Sequence, residues 1–358
     1  MSVSEFDAGW LAAYLSRRFG QAVVVDSLER FTRGTSRQTW FARYRKPGDT
    51  QATAITLRAD HPAGAGDPTP LDQEYFIYER LGRADLPVAA ALWWEDDPAL
   101  TPRPFYVRKM IEGSWNIDHY ANPDPRYDAL RLDAAKAHMR ALAQVHRVDW
   151  KALGFDRRIA APRDLADAGP SYLRVLMGRL AESRAEPLPY LLEVEEWLRD
   201  HAPPAPRISL CKGTNGLGEE VFENGRIVAL SDWEEVMIGD PASDLAMVQG
   251  FTAPIVHDGE TLWDLEKAVA YYREVSGIDV RMENVRYYQL ARLFGRAVMF
   301  AHTACVVAAS DKATVRQAWT VTEVMHVVKR ALGSALGWFD PVDEARFEEM
   351  NLSVEMEA

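Results

Sequence analysis

The sequence predicts an α+β protein of two lobes, an N-terminal antiparallel sheet with attendant helices and a larger, mainly helical C-terminal lobe. Strand-forming runs crowd the first third at Val23 to Phe31, Gln38 to Tyr44, Ala52 to Arg58, Val88 to Trp94 and Phe105 to Met110. Helical periodicity dominates from residue 133 onward, and segregating strands from helices in this way is the α+β pattern. With 358 residues, 47% hydrophobic content and 11 Trp, the chain can bury a core large enough for both lobes.

Taken in order, residues 7 to 19 set Trp10, Leu11, Tyr14, Leu15 and Phe19 at helical spacing, a surface helix on the first lobe. Arg33-Gly34-Thr35-Ser36 reads as a turn between the first two strands, where small side chains let backbone N–H groups approach an anion. The third strand ends in a cation, Arg58. Leu71 to Leu81 reads as a helix carrying Tyr75, Tyr78 and Leu81 on one side, with Glu74 available to pair with Arg58. His61 to Pro70 between them is a Gly/Pro-rich loop. Ile111-Glu112-Gly113 then leaves the sheet.

In the second lobe, Asp133 to Val148 is a strong amphipathic pattern, and His146 on it reads as a structural residue of the core. Two helical patterns fill residues 170 to 200. Further helices are expected around 260 to 276, 281 to 309 and 313 to 336, and the acidic tail beyond Asp340 packs loosely. Between these sets lies the stretch that organises the rest. A short apolar piece, Ile208 to Cys211, runs into glycine-rich chain. After it come Val221-Phe222, the turn Glu223-Asn224-Gly225, and Arg226 to Leu230, ending on Ser231-Asp232. That is a hairpin with an Asn-Gly turn delivering a carboxylate at a strand end, where it either caps the following segment or holds a divalent cation.

The net charge of −12 opposes a general affinity for nucleic acid or anionic lipid. Two cysteines, Cys211 and Cys305, supply neither a disulfide framework nor a metal-site spacing, which suits a reducing cytoplasm. Neither a signal peptide nor a membrane span is expected; the apolar region near 297 to 309 is short and follows Arg296.

Asp232-Trp233-Glu234, followed by Gly239-Asp240-Pro241-Ala242-Ser243-Asp244-Leu245-Ala246, resembles the aminoglycoside phosphotransferase and choline kinase-like superfamily. The nearest resemblance is to the phosphotransferase domains fused to acyl-CoA dehydrogenases. Gln144-Val145-His146-Arg147-Val148-Asp149-Trp150 is similar to the family's helix end. The resemblance spans about residue 25 to residue 305 and implies a protein-kinase-like fold, with residues 1–110 the nucleotide-binding lobe and 111–358 the helical lobe. It implies ATP and Mg as cofactors and a small hydroxylated molecule as substrate.

Carried over residue by residue, the resemblance implies that Gly34 and Ser36 cover the phosphates and Arg58 pairs with them, held by Glu74. Lys109 and Ile111 would offer backbone hydrogen bonds to adenine, Asp232 would bind metal, and Asp244 would brace the catalytic loop. The family's His-Gly-Asp-x-x-x-x-Asn loop is altered here. Aligned back from Val221-Phe222, Lys212 stands where the family has His, Thr214 where it has the catalytic Asp, and Glu219 where it has the metal-binding Asn, while Gly213, Leu217 and Gly218 stay in register.

Thr214 cannot act as a general base at neutral pH, because its hydroxyl neither ionises nor holds an extra proton. Glu219 can replace Asn toward Mg. Lys212 either pairs with Glu219 or Glu220, in the bland case as a solvent-exposed ion pair, or reaches a substrate anion. Asp128, Asp133, Asp264 and Glu266 would suit a cationic acceptor. The residues thus leave two readings: a phosphotransferase with a degenerate loop, or a pseudokinase that binds ligand without ordinary turnover.

Overall fold

Five strands form an antiparallel sheet in the order β1-β2-β3-β5-β4: β1 Val24–Phe31, β2 Arg37–Arg45, β3 Thr53–Asp60, β4 Ala91–Glu95 and β5 Phe105–Lys109. The computed structural model describes residues 6–31, 37–62, 69–183 and 188–338. Gly34 and Ser36 lie outside the described residues, as do most of the Gly/Pro-rich loop and the acidic tail. Because β3 is central, Arg58 sits opposite Thr39 on one side and Tyr106 on the other rather than on an exposed edge.

Helix α1 (Ala8–Phe19) starts at Asp7, whose carboxylate accepts from the Trp10 N–H at 2.7 Å, and stops at Gly20 in the left-handed region. Its Leu11, Tyr14 and Leu15 join Trp40, Ile55, Leu57 and Phe105 in a core behind the sheet. Helix α2 (Leu71–Leu81) follows Pro70 and packs on β4 and β5. Its apolar face belongs to a different core. Leu71, Ile77, Tyr78 and Leu81 meet Val145, Phe155, Leu210 and Trp233 of the second lobe, so apolar burial joins the two lobes through α2.

The second lobe is built on α3 (Asp128–His146), α4 (Ala168–Glu182) and α5 (Pro189–Asp200), followed after the site region by α7 (Leu265–Ser276), α8 (Met282–Ala309), α9 (Val315–Trp319) and α10 (Met325–Ala335). Four-residue α6 (Ala242–Leu245) sits between the site and these helices. Helix α8 is long and apolar enough by composition to cross a bilayer. Here Leu290, Ala291, Phe294, Val298 and Ala301 instead fill the largest core.

Short strands carry the site: β6 Ser209–Cys211, β7 Asn215–Gly216, β8 Glu220–Glu223, β9 Arg226–Leu230, β10 Met237–Gly239 and β11 Val248–Gln249. The β8–β9 hairpin turns at Asn224 and Gly225, both with positive φ (50° and 72°), the conformation an Asn-Gly hairpin turn requires. Pairing of β6 with β10 sets Cys211 opposite Met237 and so brings the Lys212 loop beside the residues after Asp232.

Three expectations shift. Residues 260–263 are not helical: β12 (Ile255–His257) and β13 (Glu260–Trp263) form a hairpin, turned at Asp258-Gly259 with positive φ at both, and α7 begins only after its cap Asp264. The α3 helix begins at Asp128, five residues before the expected start. The last helix is interrupted by π-helical Thr320–Val324, where the Thr320 and Thr322 hydroxyls donate to the carbonyls of Arg316 and Ala318.

Phe251 anchors the floor of the second lobe. It is fully buried, its ring meets Tyr120, His138 and Phe222, and its carbonyl accepts from Trp263 Nε1 at 2.8 Å. Phe251→Ala is expected to lower unfolding stability by about 3–5 kcal/mol, read as a lower urea midpoint with an unchanged slope.

Candidate functional site

A cleft of about 340 Å³ opens between the lobes, lined on one side by Thr56, Arg58, Lys109 and Ile111 and on the other by Glu219 and Asp232. Its floor is held by unusually close backbone packing. Gly113 has φ 149°, and a Cβ there would stand 2.6 Å from the Phe222 carbonyl, so only glycine lets the interlobe segment reach β8. Ser114 and Phe222 then exchange N–H···O bonds of 2.8 and 2.7 Å.

On the sheet side the geometry turns on Glu74. Arg58 Nε lies 2.9 Å from its Oε1 and Arg37 Nε 3.2 Å from its Oε2, while the Tyr106 hydroxyl donates to Oε1 at 2.7 Å. Burial by itself would raise the Glu74 carboxyl, but Arg58 and Arg37 outweigh it and hold the group below its ordinary value. Arg58 also reaches Glu234 of the Asp-Trp-Glu run. Thr69 Oγ1 donates to the Glu234 carbonyl at 2.7 Å, so the first lobe is hydrogen-bonded to the strand end that carries Asp232.

Asp232 is half-buried and takes a left-handed backbone, φ 59°. Burial, with the Glu219 carboxylate hydrogen-bonded beside it, pushes its pKa up to about 8. Two carboxyls this close cannot both ionise cheaply, and a divalent cation would relieve that repulsion as a shared proton does. The Asp232 and Glu219 oxygens therefore fit a hard cation.

The loop between β6 and β8 is braced from α6. Asp244 Oδ2 accepts from Lys212 N at 2.7 Å and Oδ1 from Gly213 N at 2.8 Å. His146 Nε2 lies 2.9 Å from Asp244 Oδ2, and its Nδ1 2.6 Å from the Tyr272 hydroxyl. Burial opposes ionisation of Asp244, but these bonds prevail and lower its pKa. His146, Cys211 and Asp244 lie close enough to hold a metal, yet both Asp244 oxygens are already committed to the loop and to His146. Gly213 is tied down as well: it has φ 92°, a Cβ on it would meet the Glu235 carbonyl at 2.4 Å, and its own carbonyl accepts from Arg292 Nη2 at 3.0 Å.

Lys212 pairs with Glu220, one of its expected partners, but not at the surface. Its side chain is fully buried and cannot reach a substrate; it donates to the Thr214 carbonyl and lies 3.3 Å from Glu220, itself fully buried. The expected surface ion pair is thus a buried one, enclosed by Trp233 and His138. Burial pushes Glu220 up to about 7 against the pull of Lys212, and pushes neutral His138 down to about 3. Thr214 is half-buried on this loop and lines neither the cleft nor a second cavity formed beside α4 and α8.

The acidic residues expected near an acceptor are spent elsewhere. Asp128 pairs with Arg131 and His257, Asp264 caps α7, and Glu266 faces Arg286 at 3.7 Å. Together with Asp133 they line neither cavity. Sequence reasoning missed Arg37, Tyr106 and Glu234, whose common signal is only an alternating strand position or adjacency to Asp232. It also missed Glu235 and Arg292, which no local pattern marks.

The profile of the phosphotransferase enzyme family matches residues 27–281. Acyl-CoA dehydrogenase family member 10 of Mus musculus is 26% identical over 225 residues, covering 61% of this chain but only 20% of that protein. A candidate aminoglycoside phosphotransferase from Ralstonia eutropha JMP134 superposes with a TM-score of 0.67 at 20% identity, over 93% of this chain and 99% of its own. A thermostable mutant of the aminoglycoside phosphotransferase APH(4)-Ia, solved in a ternary complex with ADP and hygromycin B, gives 0.52 at 14% identity over 89% and 98%. The fold is therefore the two-lobed, kinase-like one, and the chain belongs to the phosphotransferase enzyme family.

Proposed function

We propose that the cleft binds ATP with Mg and that the protein transfers the γ-phosphoryl group to a small hydroxylated molecule, with Thr214 standing where the family's catalytic Asp would be. The observation that carries this reading is convergence: an arginine held by a buried glutamate, the paired carboxyls of Asp232 and Glu219, and the interlobe backbone of Lys109 to Ile111 border one cleft. The ADP complex of the APH(4)-Ia mutant supports the nucleotide part. In this reading Gly34 and Ser36 cover the phosphates, and the nucleotide lobe ends near residue 110.

Arg58 would neutralise phosphate oxygens, and Glu74 would keep its guanidinium aimed into the cleft. Mg, when bound by Asp232 and Glu219, would supply charge neutralisation at the phosphates. In the transfer itself the acceptor oxygen bonds to the γ-phosphorus while the bond to the β,γ-bridging oxygen breaks, and ADP leaves with that electron pair. The hydroxyl proton passes to water, since Thr214 cannot take it. Loss of a positioned base costs about 10²–10⁴ in rate.

That same cost supports a second reading, nucleotide binding without useful turnover. Calorimetric titration of ATP with and without Mg tests what both share. Arg58→Ala should weaken ATP binding about tenfold or more, and Asp232→Asn should remove most of the Mg dependence. A wild-type protein that binds no nucleotide overturns both readings.

Thr214→Asp combined with Glu219→Asn is expected to raise ATP turnover about 10²–10⁴-fold. A wild-type rate already at the double variant's level would assign the base elsewhere. The bracing role of Asp244 predicts that Asp244→Ala loses about 3–5 kcal/mol in urea unfolding, because two buried N–H groups and His146 lose their partner. Asp244→Asn, which keeps an acceptor oxygen, should recover part of that loss.

A further inference from the structure

The second cavity, of about 230 Å³, lies between α4, α8 and residues 235 to 238, in the segment that follows Asp232. It adjoins the loop of Thr214: Arg292 in its wall donates to the Gly213 carbonyl, and the Glu235 backbone packs directly on Gly213. Gln73 of α2 also lines it, next in sequence to Glu74. A molecule seated there lies beside the Thr214 loop, and the cavity wall begins at Glu235, next in sequence to Glu234 of the cleft.

The charge of this cavity is opposite to that of the chain. The protein carries a net charge of −12, yet among the described residues the cavity is lined by Arg158, Arg179, Arg292 and Arg296 and by one acidic residue, Glu235. Arg158 is satisfied by Asp72 at 2.8 Å and Arg292 by Glu235. Among the described residues, Arg179 and Arg296 close no ion pair, although both lie near enough to help Arg292 depress the Glu235 carboxyl against the effect of its burial. Arg292 is only 4% exposed, and its Nε has no hydrogen-bond partner among the described residues. Arg179 and Arg296 are half-buried, so their guanidinium groups stay available to a ligand, and their planar forks match a carboxylate or phosphate. Val175, Leu176, Ile238 and Met299 give the cavity an apolar side, while Gln73, Ser171 and Tyr172 add neutral polar groups.

We propose that this cavity is the acceptor site and that it takes a hydroxylated molecule with an apolar body and an anionic group, carboxylate or phosphate, gripped by Arg179 and Arg296. The proposal rests on the phosphotransferase reading, and it reverses the expectation of a cationic acceptor.

The test uses the full chain and direct binding as well as turnover. Calorimetry measures four-to-six-carbon hydroxy acids, their methyl esters, glycerol 3-phosphate, choline and an aminoglycoside, each with a non-hydrolysable ATP analogue and Mg present; ATP consumption is followed separately. An anionic member should bind at least about tenfold more tightly than its ester and than either cation. The acid and phosphate arms tell which anion is preferred. Arg179→Gln with Arg296→Gln should weaken that binding about tenfold or more while leaving ATP affinity within about twofold, which excludes misfolding as the cause. The proposal is overturned if a cation binds best, if no anion binds at about 10 mM, or if the double variant binds the anion as the wild type does. Absence of nucleotide binding would instead sink the phosphotransferase reading, whereas anion binding lost on substituting the two arginines would still assign the cavity's ligand.

Discussion

One buried carboxylate, Glu74, sets the geometry of the cleft. It is 1% exposed and receives Arg58, Arg37 and the Tyr106 hydroxyl, so strands β2, β3 and β5 are all tied to helix α2 through two oxygens. A carboxylate so enclosed is tolerable only while both guanidiniums remain, whereas each of them has a second carboxylate, Asp60 for Arg37 and Glu234 for Arg58. The arrangement fixes the Arg58 side chain relative to Glu234, and hence relative to Asp232, before any ligand arrives.

Apolar packing reinforces that polar tie. Helix α2 donates its hydrophobic face to a core shared with Trp233, Leu210 and the end of α3, so the helix bearing Glu74 is seated on the second lobe as well as on the sheet. The loop between β6 and β8 has its own brace in Asp244, which spends both oxygens on Lys212, Gly213 and His146. The shared consequence of the two braces is a preorganised cleft in which a nucleotide would meet charges already in place.

Much of this was legible in the sequence where the signal is local. Alternating aromatic and β-branched residues marked the five strands, and Asn224-Gly225 marked the hairpin, because its two positive φ values suit few other residue pairs. The Asp258-Gly259 turn carried the same kind of signal, but strands of three and four residues are too short for alternation to register, and residues 260–263 passed as the start of a helix. What no local pattern could give was burial. Lys212 and Glu220 were correctly suspected as partners, yet their environment depends on Trp233 and on His138, 74 residues upstream of Lys212 in the chain. The arginine-lined cavity was equally invisible, since its cations come from three separated segments and meet only when α4 packs on α8.

The enclosed position of Lys212 carries a consequence for how this loop can change over time. Exchanging the lysine for a neutral side chain would strand Glu220 without its cation, and exchanging Glu220 alone would strand the lysine. Either single step descends into an unstable intermediate, so the two positions are bound to drift as a couple. Ancestry of the loop is therefore better traced through the pair than through either residue.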